Sequence, residues 1–252
     1  MELFKGVEIV DSFPALYLRS LNLLVISDLH LGFEGIMSEQ GVYLPKVQFR
    51  KIMDLMEKII QERKAESLLI LGDLKHEFSE TTYHEFKEVS DFLIFAKRNF
   101  KRVIVIKGNH DNFIIYVTRK HGVELYDDLK LDKFYFTHGH KDLDLRKKDF
   151  EFLIIGHEHP SIALFDEIGN REKVKCFLYG KLNKGKKIIV MPAMSYFAYG
   201  TDVNLIPKEE LLSPILRKLG VDELRAIGLI EGTRILEFPK IGELKKVQTL
   251  YE

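Results

Sequence analysis

The chain has no net charge, no tryptophan, a single cysteine and no apolar run long enough to cross a bilayer. Each absence excludes something. With 38 basic and 38 acidic residues, there is no global pull toward nucleic acid or an anionic membrane, and only a local basic groove could supply one. Cys176, within the apolar stretch from Val174 to Leu178, has no partner for an intramolecular disulfide and reads as a small core residue. The weakly polar run from Ile188 to Gly200 is too short to span a membrane and contains Pro192. Met1 to Val10 carries acids and no apolar signal core, so no export signal and a cytoplasmic location are expected. Scarce Gln and Cys beside abundant Lys and Glu match a composition reported for heat-adapted proteins, with lineage bias the plainer explanation.

What is present is an ordinary globular composition, 46% hydrophobic and 30% charged over 252 residues. That length holds one sizeable core or two small domains. Residues 7–26 read as strands, the last stopping at Ser27-Asp28. Residues 46–62 read as an amphipathic helix, with Phe49, Ile52, Met53, Met56, Ile59 and Ile60 at helical spacing. Leu68 to Leu71 is a buried strand, 80–98 a second helix, and 102–107 a further strand. Strand alternating with helix argues for an α/β fold with crossover connections.

The second half changes character. Phe134 to Thr137, Phe152 to Ile155, Ile162 to Phe165, Val174 to Tyr179 and Lys187 to Met191 are closely spaced and strand-like, with a hairpin loop over residues 180–185. The pattern predicts a mainly antiparallel second sheet. Two mixed β-sheets packed face to face, with flanking helices, satisfy both halves. No repeat or interdomain linker is evident, so residues 1–252 are expected to form one domain, with a tail, 205–252, packed on it. In that tail Pro207-Lys208-Glu209-Glu210 looks like a helix start that would turn Leu211, Leu212, Ile215, Leu216 and Leu219 to the body. Residues 225–238 read as a closing strand pair.

Five fragments follow apolar runs: Asp28-Leu29-His30, Gly72-Asp73, Gly108-Asn109-His110-Asp111, His138-Gly139-His140 and Gly156-His157-Glu158-His159. Polar side chains at the carboxyl ends of buried strands make poor core and good sites. Asp28 and His30, like His157 and His159, would point the same way on an extended segment. Imidazole nitrogens with carboxylate oxygens suit a borderline divalent metal such as Mn, Fe, Ni or Zn. Asp28, His30, Asp73, Asn109, His138, His157 and His159 exceed what one ion uses, which suggests two ions sharing a carboxylate.

Taken in order, the five fragments resemble the calcineurin-like metallophosphoesterases over residues 20–200, and within them the small archaeal phosphoesterases described as SbcD-related. The resemblance implies a four-layer sandwich and hydrolysis of a phosphodiester by a hydroxide bridging two divalent transition-metal ions, manganese first among them. It implies that Asp28, His30 and His159 hold one ion, that Asn109, His138 and His157 hold the other, and that Asp73 bridges. His110 would contact the substrate phosphate and protonate the leaving oxygen, with Asp111 orienting its ring. Many relatives carry a carboxylate or Asn a few residues after Gly-Asp; here Leu74-Lys75-His76 follows, so Lys75 and His76 are candidate substrate contacts. Nuclease action on DNA or RNA ends is the alternative, and a non-catalytic metal-binding scaffold is the alternative of another class. Homo-oligomers are compatible with either.

The bland readings stand beside these. His140 is expected to support a ligand or lie at the surface, and His84 and His121 to be solvated. Segments 141–149 and 181–187 read as solvated charged faces.

Overall fold

Short runs rich in Leu, Ile and Val become strands wherever both of their faces can be buried. The computed structural model describes residues 1–78, 82–198 and 200–248. Its first sheet has seven strands in sequence order: β1 (Glu2–Phe4), β2 (Val7–Ile9), β3 (Leu16–Leu18), β4 (Leu23–Ile26), β5 (Ser67–Leu71), β6 (Arg102–Ile106) and β7 (Glu124–Tyr126). The first three pairings are antiparallel; β4 to β7 run parallel. The helices of this half are α1 (Phe33–Glu39), α2 (Gln48–Glu62), α3 (Tyr83–Asn99) and α4 (Ile114–His121).

The second sheet contains nine strands: β8 (Asp128–Leu131), β9 (Phe134–Thr137), β10 (Phe152–Ile155), β11 (Pro160–Phe165), β12 (Arg171–Lys181), β13 (Lys187–Val190), β14 (Thr201–Asp202), β15 (Arg225–Ile230) and β16 (Arg234–Lys240). It is mixed. β10 lies parallel to both β9 and β13, whereas β8–β9, β11–β12, β12–β13, β12–β15 and β15–β16 are antiparallel.

Alternation along the strands sorts the core into three layers. Leu24, Ile26, Leu68, Ile70, Val103 and Val105 face Ile52, Met56 and Ile59 of α2 and Val89, Phe92 and Leu93 of α3. Their neighbours Leu23, Val25, Leu69, Leu71, Ile104 and Ile106 face the other sheet, meeting Phe134, Phe136, Phe152, Ile154, Phe177 and Ile189. Leu153, Ile155, Ile188 and Val190 turn outward under the C-terminal helices α5 (Pro214–Leu219) and α6 (Ile241–Gln248). The result is the expected helix–sheet–sheet–helix sandwich.

Differences from expectation have local causes. The helix expected over 80–98 is α3; residues 80 and 81 lie outside the described residues. It begins at a capping box in which the Thr82 hydroxyl accepts from Glu85 N (3.3 Å) and the Glu85 carboxylate accepts from Thr82 N (3.0 Å). α1 and α4 were not legible because each is short and begins at a residue in the left-handed region, Gly32 and Phe113. Pro207 starts only a single 3-10 turn; the chain is extended again at Leu211, and Pro214 opens the true helix. Leu211, Ile215 and Leu216 are buried as expected, whereas Leu212 and Leu219 are exposed. His84 and His121 are half-buried rather than solvated. Among the described residues no helix is long and apolar enough to cross a membrane.

Phe177 fills the layer between the sheets and is fully buried. Phe177→Ala is expected to destabilise the protein by about 3–5 kcal/mol, read as a lower urea midpoint at unchanged slope.

Candidate metal centre

All five fragments meet at one end of the two sheets. Asp28, Asp73 and Asn109 follow β4, β5 and β6 of the first sheet; His138 and His157 follow β9 and β10 of the second, and His159 precedes β11. Three groups of donor atoms, each within 4.8 Å of one another, form there among the described residues; two of them contain carboxylates, Asp28, His30, Asp73 and His159, and Asp73, His138 and His157, and the third is His30, His76 and His110. Asp73 belongs to both groups that contain carboxylates. Asn109 joins the second group, its Oδ1 lying 3.2 Å from His138 Nε2. The structure therefore brings together all seven residues singled out from sequence.

The route to this convergence is not the extended segment expected. Asp28, His30, Asp73, His157 and His159 all have positive φ, between 46° and 68°. Such conformations are costly for residues with a Cβ and gather at functional sites. The left-handed steps keep Asp28 and His30 in one group but send His157 and His159 to different groups. The motif glycines leave room for the cage. A Cβ on Gly72 would stand 2.1 Å from His138 Nδ1, and one on Gly108 2.1 Å from Asp73 Oδ1.

The electrostatics are those of a charge cluster shielded from bulk solvent. Asp28 is 0% exposed and Asp73 1%. Burial alone would raise the Asp28 pKa, but His159 and then His138 outweigh it and hold the carboxyl below its usual range. The same contest at Asp73 is won by His138, His30 and His110. Asp28 Oδ1 lies 3.1 Å from His159 Nε2, and Asp73 Oδ2 lies 3.2 Å from His138 Nε2. Burial opposes the charge on His138, but Asp73 and Asp28 prevail and raise its pKa to about 9. Burial lowers His30 to about 3 and His157 to about 4, leaving neutral imidazoles with free lone pairs.

A transition-metal cation fits these residues. His30 Nε2 and His159 Nε2 are buried and have no hydrogen-bond partner among the described residues; each is aimed at a carboxylate. His138 Nδ1 meets the Leu71 carbonyl at 3.0 Å, which fixes one proton on Nδ1 and makes Nε2 the nitrogen that would lose its proton to a cation, the usual backing for a ligating histidine.

The surrounding residues divide differently from expectation. His110 N donates to Asp73 Oδ1 (2.9 Å), and its Nε2 stands 3.8 Å from Asp73 Oδ2. Its ring is oriented by the His76 carbonyl, which meets Nδ1, and by Phe78, whose ring centre is 3.6 Å away. Asp111 instead accepts from the backbone N–H groups of Leu74 (2.9 Å), Lys75 (3.2 Å) and Gly108 (2.8 Å). It pins the loops carrying Asp73 and Asn109 together, and burial raises its pKa to about 6. Lys75 is fully buried and donates to the Glu77 carbonyl, which turns it inward rather than toward a substrate. His76 is half-buried, with Nδ1 3.5 Å from His30 Nδ1. His140 lies beside His138, ring centres 5.2 Å apart. The charges of 141–149 are largely paired locally, as in Arg146–Asp144 and Lys148–Asp128.

Sequence reasoning missed two supports. Buried Gln48 donates to the His30 carbonyl (2.9 Å) and accepts from Ser195 Oγ (2.7 Å), tying the Asp28–His30 loop to α2. Glu85 accepts from His76 N (2.9 Å) and Glu77 N (2.5 Å) and so holds the loop under His110. The Thr82-x-x-Glu85 spacing is a signal from which the cap could have been found, but nothing in the sequence points to this second use.

Two facing mixed sheets with Asp/His donor groups at their shared end are the arrangement of the metallophosphoesterase fold. The calcineurin-like phosphoesterase family model matches residues 21–222, and the chain belongs to that family. No curated protein matches. Among solved structures, Pseudomonas putida nuclease MPE is similar with a TM-score of 0.60 and 19% identity, covering 85% of this chain and 88% of that one. YfcE, a phosphoesterase from E. coli, gives a TM-score of 0.40 and 18% identity over 71% and 83% of the two chains.

A histidine whose pKa is raised on folding stabilises the protein fully below its unfolded value, ~6.5, and that contribution disappears as pH rises through the folded value. For His138 the window closes at about 9. Ligand binding to a cation must expel the same proton. With chelator present, the melting temperature should therefore fall more steeply from neutral to alkaline pH in wild type than in His138→Gln. Added manganese should flatten or reverse the wild-type slope. Parallel slopes for the two metal-free proteins would contradict the assignment.

Proposed function

We propose that this chain hydrolyses phosphodiesters at a dinuclear metal site. The observation that carries the reading is that Asp73 is the carboxylate common to the two donor groups that contain one. Asp28, His30 and His159 would hold one divalent ion, Asn109, His138 and His157 the other, and Asp73 both. Manganese is the first candidate, with iron, nickel and zinc compatible with the same donors. Ions at such a site supply hydroxide near neutral pH and stabilise charge on the phosphoryl oxygens.

The chain's own residues do the rest. With Nδ1 committed to the His76 carbonyl, His110 presents Nε2 at the mouth of the cage. There it would hold a phosphate oxygen and protonate the departing one. The Phe78 ring limits rotation of the imidazole. His76 and His140, which burial lowers to about 4, are neutral and add no positive charge. A singly charged diester suits that setting better than a doubly charged monoester. Residues 1–252 are taken as one domain, whose tail from 205 packs on the second sheet.

A nucleic-acid substrate is a second reading. It is favoured by the half-exposed Phe78 ring beside His110, a face on which a base could stack. The neutral chain lacks the basic footprint of a tight duplex binder. A non-catalytic scaffold is disfavoured by the full set of seven donors.

Asp73→Asn is expected to lower hydrolysis of an aryl phosphodiester, with manganese supplied, by about a hundredfold or more. A loss below about tenfold would count heavily against the shared-carboxylate reading. A panel of phosphomonoesters, aryl and cyclic diesters and single-stranded DNA across the four metals separates the substrate classes. His110→Gln should slow a diester with an alkyl leaving group by about a hundredfold and one with a nitrophenyl leaving group far less. Equal losses on both would remove His110 as the proton donor.

A further inference from the structure

Glu158 lies between His157 and His159 but takes no part in any donor group. Its carboxylate is fully buried and accepts from two consecutive backbone N–H groups of the C-terminal segment, Leu212 (3.1 Å) and Ser213 (2.8 Å). Ser213, also fully buried, uses its hydroxyl elsewhere: it donates to the carbonyl of Gly139 (2.8 Å), the residue between His138 and His140. Two residues of the tail thus hold both histidine loops of the second sheet. The attachment is firm, because Ser213 is the residue before α5, and Leu211, Ile215 and Leu216 on either side are buried in the outer core. The two loops also meet directly through Gly156 N and the His138 carbonyl (3.0 Å).

We propose that Glu158 and Ser213 are positioning residues that set the spacing of His138 from His157, and through it the affinity of the centre for cations. The proposal rests on the metal-site reading above. A ligand cage tolerates displacements of only ~0.5 Å, and groups behind the ligands change metal affinity by about 10–100-fold. Hydrogen bonds from N–H groups to a buried carboxylate are short, directional and strong enough to fix a loop. The Ser213 hydroxyl transmits that fix to the neighbouring loop. On this reading the C-terminal segment, which carries no ligand itself, is part of the apparatus that makes the ligands converge.

The test uses the full chain stripped with chelator and titrated with manganese by calorimetry, comparing wild type, Ser213→Ala and Glu158→Gln. Each variant should weaken at least one manganese-binding event by about tenfold or more. Melting of the metal-free protein should stay close to wild type, and the visible absorption of the cobalt-loaded form should shift. If Glu158→Gln does not fold, Ser213→Ala carries the test alone, since it removes one hydroxyl. Wild-type affinity and an unshifted cobalt spectrum in Ser213→Ala would overturn the proposal. So would weakened binding matched by an equal loss of metal-free stability, which marks a merely structural role. Wild-type protein that takes up no manganese would overturn the metal-site reading itself, and this proposal with it.

Discussion

Two carboxylates, Asp28 and Asp73, are buried side by side where water cannot solvate them, and the rest of the molecule is arranged around that fact. A buried ionised acid is costly unless positive charge and hydrogen-bond donors stand close to it. The fold supplies both. Ser27 Oγ donates to Asp28 at 2.6 Å, His110 N donates to Asp73 at 2.9 Å, and the imidazoles of His30, His138 and His159 close around the oxygens. In the metal-free protein the His138 proton offsets part of the charge. His30 Nε2 and His159 Nε2, which make no hydrogen bond among the described residues, mark where further positive charge belongs.

Holding these groups together requires backbone that would not form alone. Five donor residues adopt left-handed conformations, each costing on the order of 1–3 kcal/mol when unsupported. The support is the apolar packing beneath. Strands β4, β5 and β6 are buried on both faces, one against helices and one against the second sheet. The loops at their ends are then fixed by buried polar side chains that are not donors themselves. Asp111 joins two loops of the first sheet, Gln48 ties a third to α2, and Glu158 joins a loop of the second sheet to the tail.

Much of this was legible in the amino-acid order. Strand alternating with helix announced the first sheet, because crossover helices leave long periodic signals such as Ile52, Met56 and Ile59. The donor residues were legible because each interrupts an apolar run abruptly. What escaped was local and short: α1 and α4 begin at left-handed residues that hydrophobic periodicity does not register. The mutual orientation of His157 and His159 also escaped, because alternation presumes extended backbone and the chain there is not extended. Asp111 was misassigned in role but not in place. Adjacency to His110 suggested a partner for its ring, whereas the carboxylate turned to three backbone N–H groups of neighbouring loops.

The donor set draws four members from loops of the first sheet and three from loops of the second. Asp28 and His157, 129 residues apart along the chain, meet in one small cage, His157 N donating to the Asp28 carboxylate at 3.2 Å. An ion held there ties distant stretches of polypeptide as a crosslink would, and closing a long loop in this way removes much of the freedom of the unfolded chain. A protein with one cysteine has no intramolecular disulfide with which to rivet its two layers, and an ion in the cage would give it a fastening that forms and releases with cation supply.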